Sequence, residues 1–506
     1  MSRRNSRRRA PTPDQVIKPK AQQLFNPYAP IEVLSADDLD LIHDGSMRIL
    51  EEIGLEVLNE KALGLYENDG ARVDWDLQRV YLDRESLMTR LLTVPSTFTL
   101  HARNSDRNRS IGGNTINFTT VASAPNSSDL EGGRRTGNFA DYCNFMRLTQ
   151  SFDIIDFVSG YPVEPIDIAP ATRHLDATLA ALTLTDRAFS CYCLGGGRVN
   201  DGMEMTAIAR GVDRETLKNE PSIITVVNTN SPLRVDGSML DGLMEMAQNG
   251  QPTIVTPFTL SGAMCPITIA GALAQQNAEA LGVIALSQIV NPGAPMVYGG
   301  FTSNADMRSG APAFGTPEYT KAALASGQLA RRYNLPFRSS NTNASNCVDA
   351  QAAWESQMSL WGAVMGHANV VKHAAGWLEG GLCASFEKFI IDIDMLQMIA
   401  ETLKPIEVSE STLALDAIRE AGHGGHFFGT AHTLANYTTA FYEPLVSDWS
   451  NFETWAENGE KTAYQRANEV YRKYLRDYEE PENDPQIKIS LEQYVVERRK
   501  ELEGQQ

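Results

Sequence analysis

SIITVVNTNSPLRVDGSMLDGLMEMAQNGQPTIVTPFT, residues 222–259, decides the fold. It opens on a β-branched run, Ile223 to Val227, of the kind that fills a strand buried on both faces. The chain turns polar at Asn228-Thr229-Asn230-Ser231-Pro232. Leu240, Leu243, Met244 and Ala247 then recur at helical spacing, and a second apolar run follows at 253–259. Strand, polar turn, helix and strand form one β/α unit. Working outward, strand-like runs recur at 116–121, 154–159, 188–194, 296–301, 336–339 and 369–375. Helical segments at 174–184, 237–248, 271–288, 317–333 and 350–365 fall in the gaps. Eight units in this length predict a closed (β/α)8 barrel, an α/β TIM barrel, over 116–376. An open doubly wound sheet is the alternative. It should carry a Gly-rich phosphate turn, and neither GxGxxG nor GxxxxGK[ST] occurs. Gly195-Gly196-Gly197 reads instead as a tight turn after the third strand.

The flanks are expected to be separate layers. Residues 1–30 read as a flexible basic tail. Residues 31–115 read as an N-terminal α+β extension with a helical pattern from Ser35, a cap, to Tyr66. Residues 377–506 read as a C-terminal helical extension completing the barrel surround, with helices at 386–403 and 409–421. The 506 residues carry a net charge of −19, which disfavours nucleic acid and anionic membranes as partners. Arg3, Arg4, Arg7, Arg8 and Arg9 invite a twin-arginine export reading, but DQVIKPKAQQ follows where an apolar stretch is required. No run of 18 apolar residues predicts a membrane span. Cytoplasmic location is expected, with reduced structural cysteines, since no CxxC occurs among the six.

In such a barrel the reacting groups sit at the C-terminal strand ends. That rule selects Phe118, Tyr192, Asn228, Asn230, Phe258, Tyr298, His373, Trp377 and Glu379, with Gln351 beyond strand seven. The expected mouth is rich in rings and amides and poor in carboxylates and lysines. Strict alternation turns Lys372 away from the side that His373 faces. No acid pair suggests glycoside hydrolysis, and no lysine suggests a Schiff base. Rings around a cavity suit a cation that has no proton to give, such as a quaternary ammonium. For any one ring, ordinary core packing is the competing reading. His423, His426 and His432 lack the partners of a metal set, so no metal is expected.

Two stretches carry a family likeness. FGTPEYTKAALASGQLARRYNLPFRSSNTNASNCVDAQAAWES (314–356) and HFFGTAHTLANYTTAFYEPLVSDWSNFETWAENG (426–459) resemble the trimethylamine methyltransferase family, as do NTNSPL (228–233) and the glycine turn after strand six. The resemblance covers about 35–500. It implies a (β/α)8 barrel that moves a methyl group from a methylated amine to the Co(I) of a corrinoid protein. Trimethylamine members carry pyrrolysine at the mouth. This chain has only standard residues and so resembles the members acting on glycine betaine and similar quaternary amines. A quaternary nitrogen leaves as a neutral tertiary amine and needs no proton. The resemblance implies no tightly bound cofactor, with the corrinoid (cobalamin) supplied by a partner protein. Direct transfer to tetrahydrofolate is an open alternative. So are a lyase or hydrolase on a quaternary amine, and a non-catalytic binding protein. Within this reading His373, Asn228 and Glu379 are the candidate catalytic residues. His373 and Asn228 address a substrate carboxylate or the nitrogen, and Glu379 offsets the cation or hydrogen-bonds His373. Phe118, Tyr192, Asn230, Phe258, Tyr298, Gln351 and Trp377 are the candidate substrate-binding residues. A homo-oligomer is expected.

Overall fold

The computed structural model describes residues 23–504. The proposed basic tail lies for the most part outside the described residues. Among those described, eight parallel strand segments run round a closed ring: β1 (Thr115–Thr120), β2 (157–158), β3 (Phe189–Tyr192), β4 (Ile223–Val227), β5 (Thr253–Val255), β6 (Met296–Gly299), β7 (Phe337–Ser340) and β8 (Val370–Ala375). Each pairs with the next, and β8 returns to β1 through Val370–Asn117 and Val371–Phe118. The fold is a (β/α)8 barrel.

The second strand is reduced to two bridges, Thr119–Phe157 and Val158–Phe189. Here a side chain substitutes for part of the ladder. Asp156 takes the Phe118 N–H (2.8 Å) and the buried Arg109 Nε–H (2.6 Å). Eight helices follow the strands in order: α1 (Phe139–Ser151), α2 (Arg173–Leu184), α3 (Gly196–Arg210), α4 (Gly237–Gln248), α5 (Ile269–Val290), α6 (Pro317–Arg332), α7 (Ala350–Met365) and α8 (Phe386–Thr402). The quoted stretch is β4, its loop, α4 and β5.

The barrel interior has a dry bottom layer. Phe157, Ala188, Ile224, Ile254, Val297 and Val370 meet there with Leu100 and Ile111. The latter two belong to a hairpin, Thr97–Leu100 with Arg109–Gly112, that plugs the N-terminal end. The next inward layer up each strand is Ser159, Ser190, Val226, Thr256, Arg338 and Lys372, which forms a cavity floor. Above the barrel, Phe258–Ser261 pairs with Phe301–Ala305, and Trp377–Leu378 joins a small sheet through Cys383–Ser385.

The expected helical run from Ser35 to Tyr66 is broken. Ser35 does cap the helix Ala36–Arg48, in a capping box with Asp38. The chain then turns at Gly54, at φ +78°, where a Cβ would meet the Val80 carbonyl at 2.6 Å. A short strand, Leu55–Val57, intervenes before the helix Glu60–Asn68. The expected helix at 409–421 is likewise divided, at Ala414 with φ +50°.

Candidate active site

A cavity of about 520 Å³ opens at the C-terminal end of the barrel. Height within it follows from chain direction, because all eight strands run toward the mouth. Most of the floor comes from residues inside the strands or one position past them, and most of the wall and rim from residues further on.

The wall is aromatic. Phe258, Phe301, Phe314 and Trp377 line it as one connected set. Phe258 and Phe301 centroids are 5.3 Å apart, Phe301 and Phe314 are 5.7 Å apart, and Phe314 stands edge-on to Trp377 at 6.1 Å. Trp377 is locked by its indole N–H, which donates to the Asn343 carbonyl at 3.0 Å. Gly381 sits beneath the indole, where a Cβ would come within 2.7 Å. Across the cavity stands Tyr192. Its hydroxyl donates to Glu164, so Ser123 Oγ must be the donor in its 2.9 Å contact with Tyr192. Burial pushes the Glu164 carboxyl above its ordinary value, against the opposing pull of Tyr192 and Arg173.

His373 lies beside Trp377, with ring centroids 4.4 Å apart. Its Nδ1 accepts the Ala122 N–H at 3.1 Å, so the neutral ring carries its proton on Nε2. Burial, with Arg338 and Lys372 nearby, holds it well below its ordinary pKa. The residue has φ +56°, and the β8–β1 register shifts between Val371 and Ala375. This bulge corrects the expectation for Lys372. Lys372 keeps the inward parity of Val370, and His373 is turned inward as well, so both line the cavity.

The floor is cationic and hydroxylated. Arg338 is 3% exposed, and its Nε and Nη1 have no hydrogen-bond partner. Its guanidinium carbon lies 5.2 Å from the Phe301 centroid. Burial lowers its pKa to about 10, which leaves it charged at neutral pH. Lys372, 4% exposed, reaches only the Ser159 carbonyl at 3.5 Å. Burial and the Arg338 charge hold its pKa well below the usual lysine value. Ser159 Oγ, Ser190 Oγ and Thr256 Oγ1 also lack partners.

Of the residues selected from sequence, Tyr192, Asn228, Phe258, His373 and Trp377 are brought together. Phe118 and Tyr298 are not. They sit at outward positions of β1 and β6 and are fully buried against the helices. The Tyr298 hydroxyl donates to Asn277 of α5 at 3.1 Å. Inward parity on β6 belongs to Val297, Gly299 and then Phe301. Glu379 accepts from Arg134 Nε at 2.9 Å and is not among the cavity residues; the His373 ring has the Ala122 N–H instead. Asn230 bonds Asp236 at 3.0 Å within its loop, and Gln351 bonds Glu355 at 2.8 Å on α7. His423, His426 and His432 are exposed on the C-terminal segment. Sequence reasoning missed Arg338, Phe314 and Glu164, turned Lys372 away from the cavity, and at the end of strand six selected Tyr298 rather than Phe301. Two-residue periodicity carried down β7 and β8 from Ser340 and Val370 is the signal for Arg338 and Lys372.

The fold and the site together define a (β/α)8-barrel protein with a ring-lined cavity at its C-terminal mouth. The chain belongs to the trimethylamine methyltransferase (MTTB) family, whose sequence profile matches residues 1–503, and it is a methyltransferase. It is 38% identical over 471 residues to the glycine betaine methyltransferase of Desulfitobacterium hafniense (strain Y51), covering 93% of this chain and 98% of that one. It is 30% identical over 467 residues to the trimethylamine methyltransferase MttB of Desulfitobacterium hafniense (strain DSM 10664 / DCB-2), covering 92% and 93%. Among solved structures, the monomethylamine methyltransferase (MtmB) of Methanosarcina barkeri superposes with a TM-score of 0.48 at 11% identity, over 90% of this chain and 96% of that one.

Proposed function

We propose that the chain removes a methyl group from a quaternary amine of the betaine class and passes it to the Co(I) of a corrinoid protein, in the cytoplasm. The observation that carries the reading is the connected ring wall of Phe258, Phe301, Phe314 and Trp377 in a cavity whose one histidine is held neutral. Ring faces attract a cation by about 0.5–2 kcal/mol each and need no proton from it. Trp377, Phe258 and Tyr192 hold the ammonium, while His373 Nε2–H and Asn228 address the rest of the substrate. Phe118, Tyr298, Asn230, Gln351 and Glu379 have no place against the substrate in this reading. The partner's reduced corrinoid supplies the nucleophile. A new bond to the methyl carbon would form as its C–N bond breaks; the C–N pair stays on nitrogen and a neutral tertiary amine leaves. The wall must therefore orient the cation without holding it so firmly that the ground state gains more than the transition state.

Exposed apolar side chains at the rim, Leu194 and Leu382, support approach of a protein rather than closure over a small acceptor. Exposed Phe428, Phe441 and Trp449 support association between like chains.

The test incubates purified protein with glycine betaine, other quaternary amines or trimethylamine, and either cob(I)alamin or tetrahydrofolate. Loss of Co(I) absorbance with release of the matching tertiary amine is expected for a quaternary substrate. Faster demethylation of trimethylamine, or turnover with tetrahydrofolate alone, overturns the reading.

A further inference from the structure

The cavity floor holds more positive and donor capacity than the protein uses. Arg338 is buried on β7 with two guanidinium nitrogens, Nε and Nη1, unpartnered. An isolated buried guanidinium with unmet donors is costly, on the scale of a lost charged hydrogen bond for each group. Lys372 lies in the same inward layer, with only a long contact to a carbonyl. Ser190 on β3, Ser159 just after β2 and Thr256 just after β5 add three hydroxyl oxygens without partners. These groups come from separate strands, and all line the one cavity. The carboxylate among the cavity-lining residues, Glu164, is engaged by Tyr192 on the wall.

We infer that Arg338 and Lys372, with the hydroxyls of Ser159, Ser190 and Thr256, form a subsite for the substrate's carboxylate, so that the enzyme is specific for short zwitterions over simple quaternary cations. The inference rests on the quaternary-amine reading for the other end of the ligand.

Height in the barrel then sets the orientation. Arg338 and Lys372 sit within their strands, whereas Phe258, Phe301 and Trp377 follow the ends of theirs. A carboxylate on the floor leaves the ammonium against the ring wall and directs its methyl groups toward the opening. Phe301 is the junction: the guanidinium is 5.2 Å from its centroid on one side, and Phe258 and Trp377 stand 5.3 Å and 6.4 Å away. A ligand with its two charges a short spacer apart reaches both ends; a longer one is displaced from one of them. His373 and Asn228 can each contribute hydrogen bonds near this junction. Neither supplies the charge, since His373 is neutral.

The test compares calorimetric binding of three ligands to wild-type protein and to Arg338→Gln and Lys372→Met. Glycine betaine carries both charges, choline lacks the carboxylate, and 3,3-dimethylbutanoate is the carbon isostere lacking the cation. Wild-type protein should bind glycine betaine at least about 30-fold more tightly than choline, the lower end of what removing one partner of a buried charge pair costs. Arg338→Gln should weaken both carboxylate ligands by at least about 30-fold and choline by less than about three-fold. Lys372→Met should move the same pair in the same direction. Equal binding of choline and glycine betaine by wild-type protein overturns the subsite. So does a folded Arg338→Gln variant that keeps both carboxylate ligands. Where Arg338→Gln does not fold, the wild-type comparison and Lys372→Met decide. If 3,3-dimethylbutanoate binds as well as glycine betaine and Arg338→Gln weakens both, the carboxylate subsite stands and the quaternary-amine reading fails. Absence of binding by all three overturns both.

Discussion

His373 is where local backbone geometry makes the site. Its left-handed φ breaks the alternation of β8 and brings two consecutive side chains, Lys372 and His373, to one cavity. Such a conformation is uncommon for a residue with a Cβ, and is held here by the Ala122 N–H bond to Nδ1. Burial, with Arg338 and Lys372 nearby, depresses the His373 pKa. An unfolded histidine takes up a proton near pH 6.5, which the folded ring refuses. The folded state therefore has its full stability above pH 6.5 and loses it as pH falls below, at up to about 1.4 kcal/mol per pH unit. Urea titrations of wild type and His373→Gln at pH 7 and pH 5 should show a smaller acid-induced loss in the variant. Equal losses would mean that the ring titrates freely. Trp377→Leu separates a cation-facing ring from a packing ring. Binding of glycine betaine should weaken about two- to thirty-fold while that of 3,3-dimethylbutanoate changes little. A drop in melting temperature with no change in cation selectivity would assign Trp377 to packing alone.

At the level of elements, the β4–α4 loop depends on a carboxylate from another unit. Glu279, fully buried on α5, accepts from the hydroxyls of Thr229 and Ser231 (the latter at 2.6 Å), from the Leu233 N–H at 2.9 Å and from Gln275 at 2.8 Å. These bonds fix the segment that follows Asn228, so Glu279 is a positioning residue. Glu279→Ala strands buried donors and should cost about 2–4 kcal/mol of stability. In the folded fraction, KM for the amine should rise more than kcat falls. Glu279→Gln, which keeps an acceptor oxygen, should recover most of both. A kcat loss with unchanged KM would place Glu279 closer to the chemistry than this geometry allows. The same scale explains Phe118 and Tyr298. Both are large rings near strand ends, and a one-residue difference in parity sends them to the helices rather than the cavity. Tyr298 then meets the polar groups of α5, Asn277 and Gln276, which satisfy its hydroxyl.

Over the whole molecule, the site depends on a closed bottom. The hairpin Thr97–Leu100 with Arg109–Gly112 inserts Leu100 and Ile111 among the lowest inward residues of the barrel. This hairpin precedes the first barrel strand, and its Leu100 and Ile111 share one apolar cluster with residues from six of the eight β/α units. Leu100→Ala opens a hole in a dry layer and should cost about 2–5 kcal/mol. The layer lies below the cavity floor, so ligand selectivity of the folded variant should match wild type. A changed preference between glycine betaine and choline would show that the floor does not rest rigidly on this plug.

By itself the sequence determined the order of eight β/α units, the strand ends that open on the cavity, and half of the ring wall. Those properties are local: β-branched runs, helical spacing and polar turns act within a dozen residues, and chain direction alone puts Asn228, Phe258 and Trp377 at the mouth. What the tertiary structure decided was which side chains face inward where alternation is broken or offset. Arg338 and Lys372 are on no motif; two-residue periodicity groups them with Ser340 and Val370, but that this set faces the cavity is decided only once β7 and β8 are registered against their neighbours. Phe314 and Glu164 lie in loops: Phe314 follows a hairpin, Asn304–Ala313, whose first strand pairs with Phe258–Ser261 of the preceding unit, and Glu164 follows the long-range bridge Ala124–Val163. The buried charge on the floor is the product of that closure. Side chains from separate strands lose water together when the ring completes, and no segment of the chain carries that information alone.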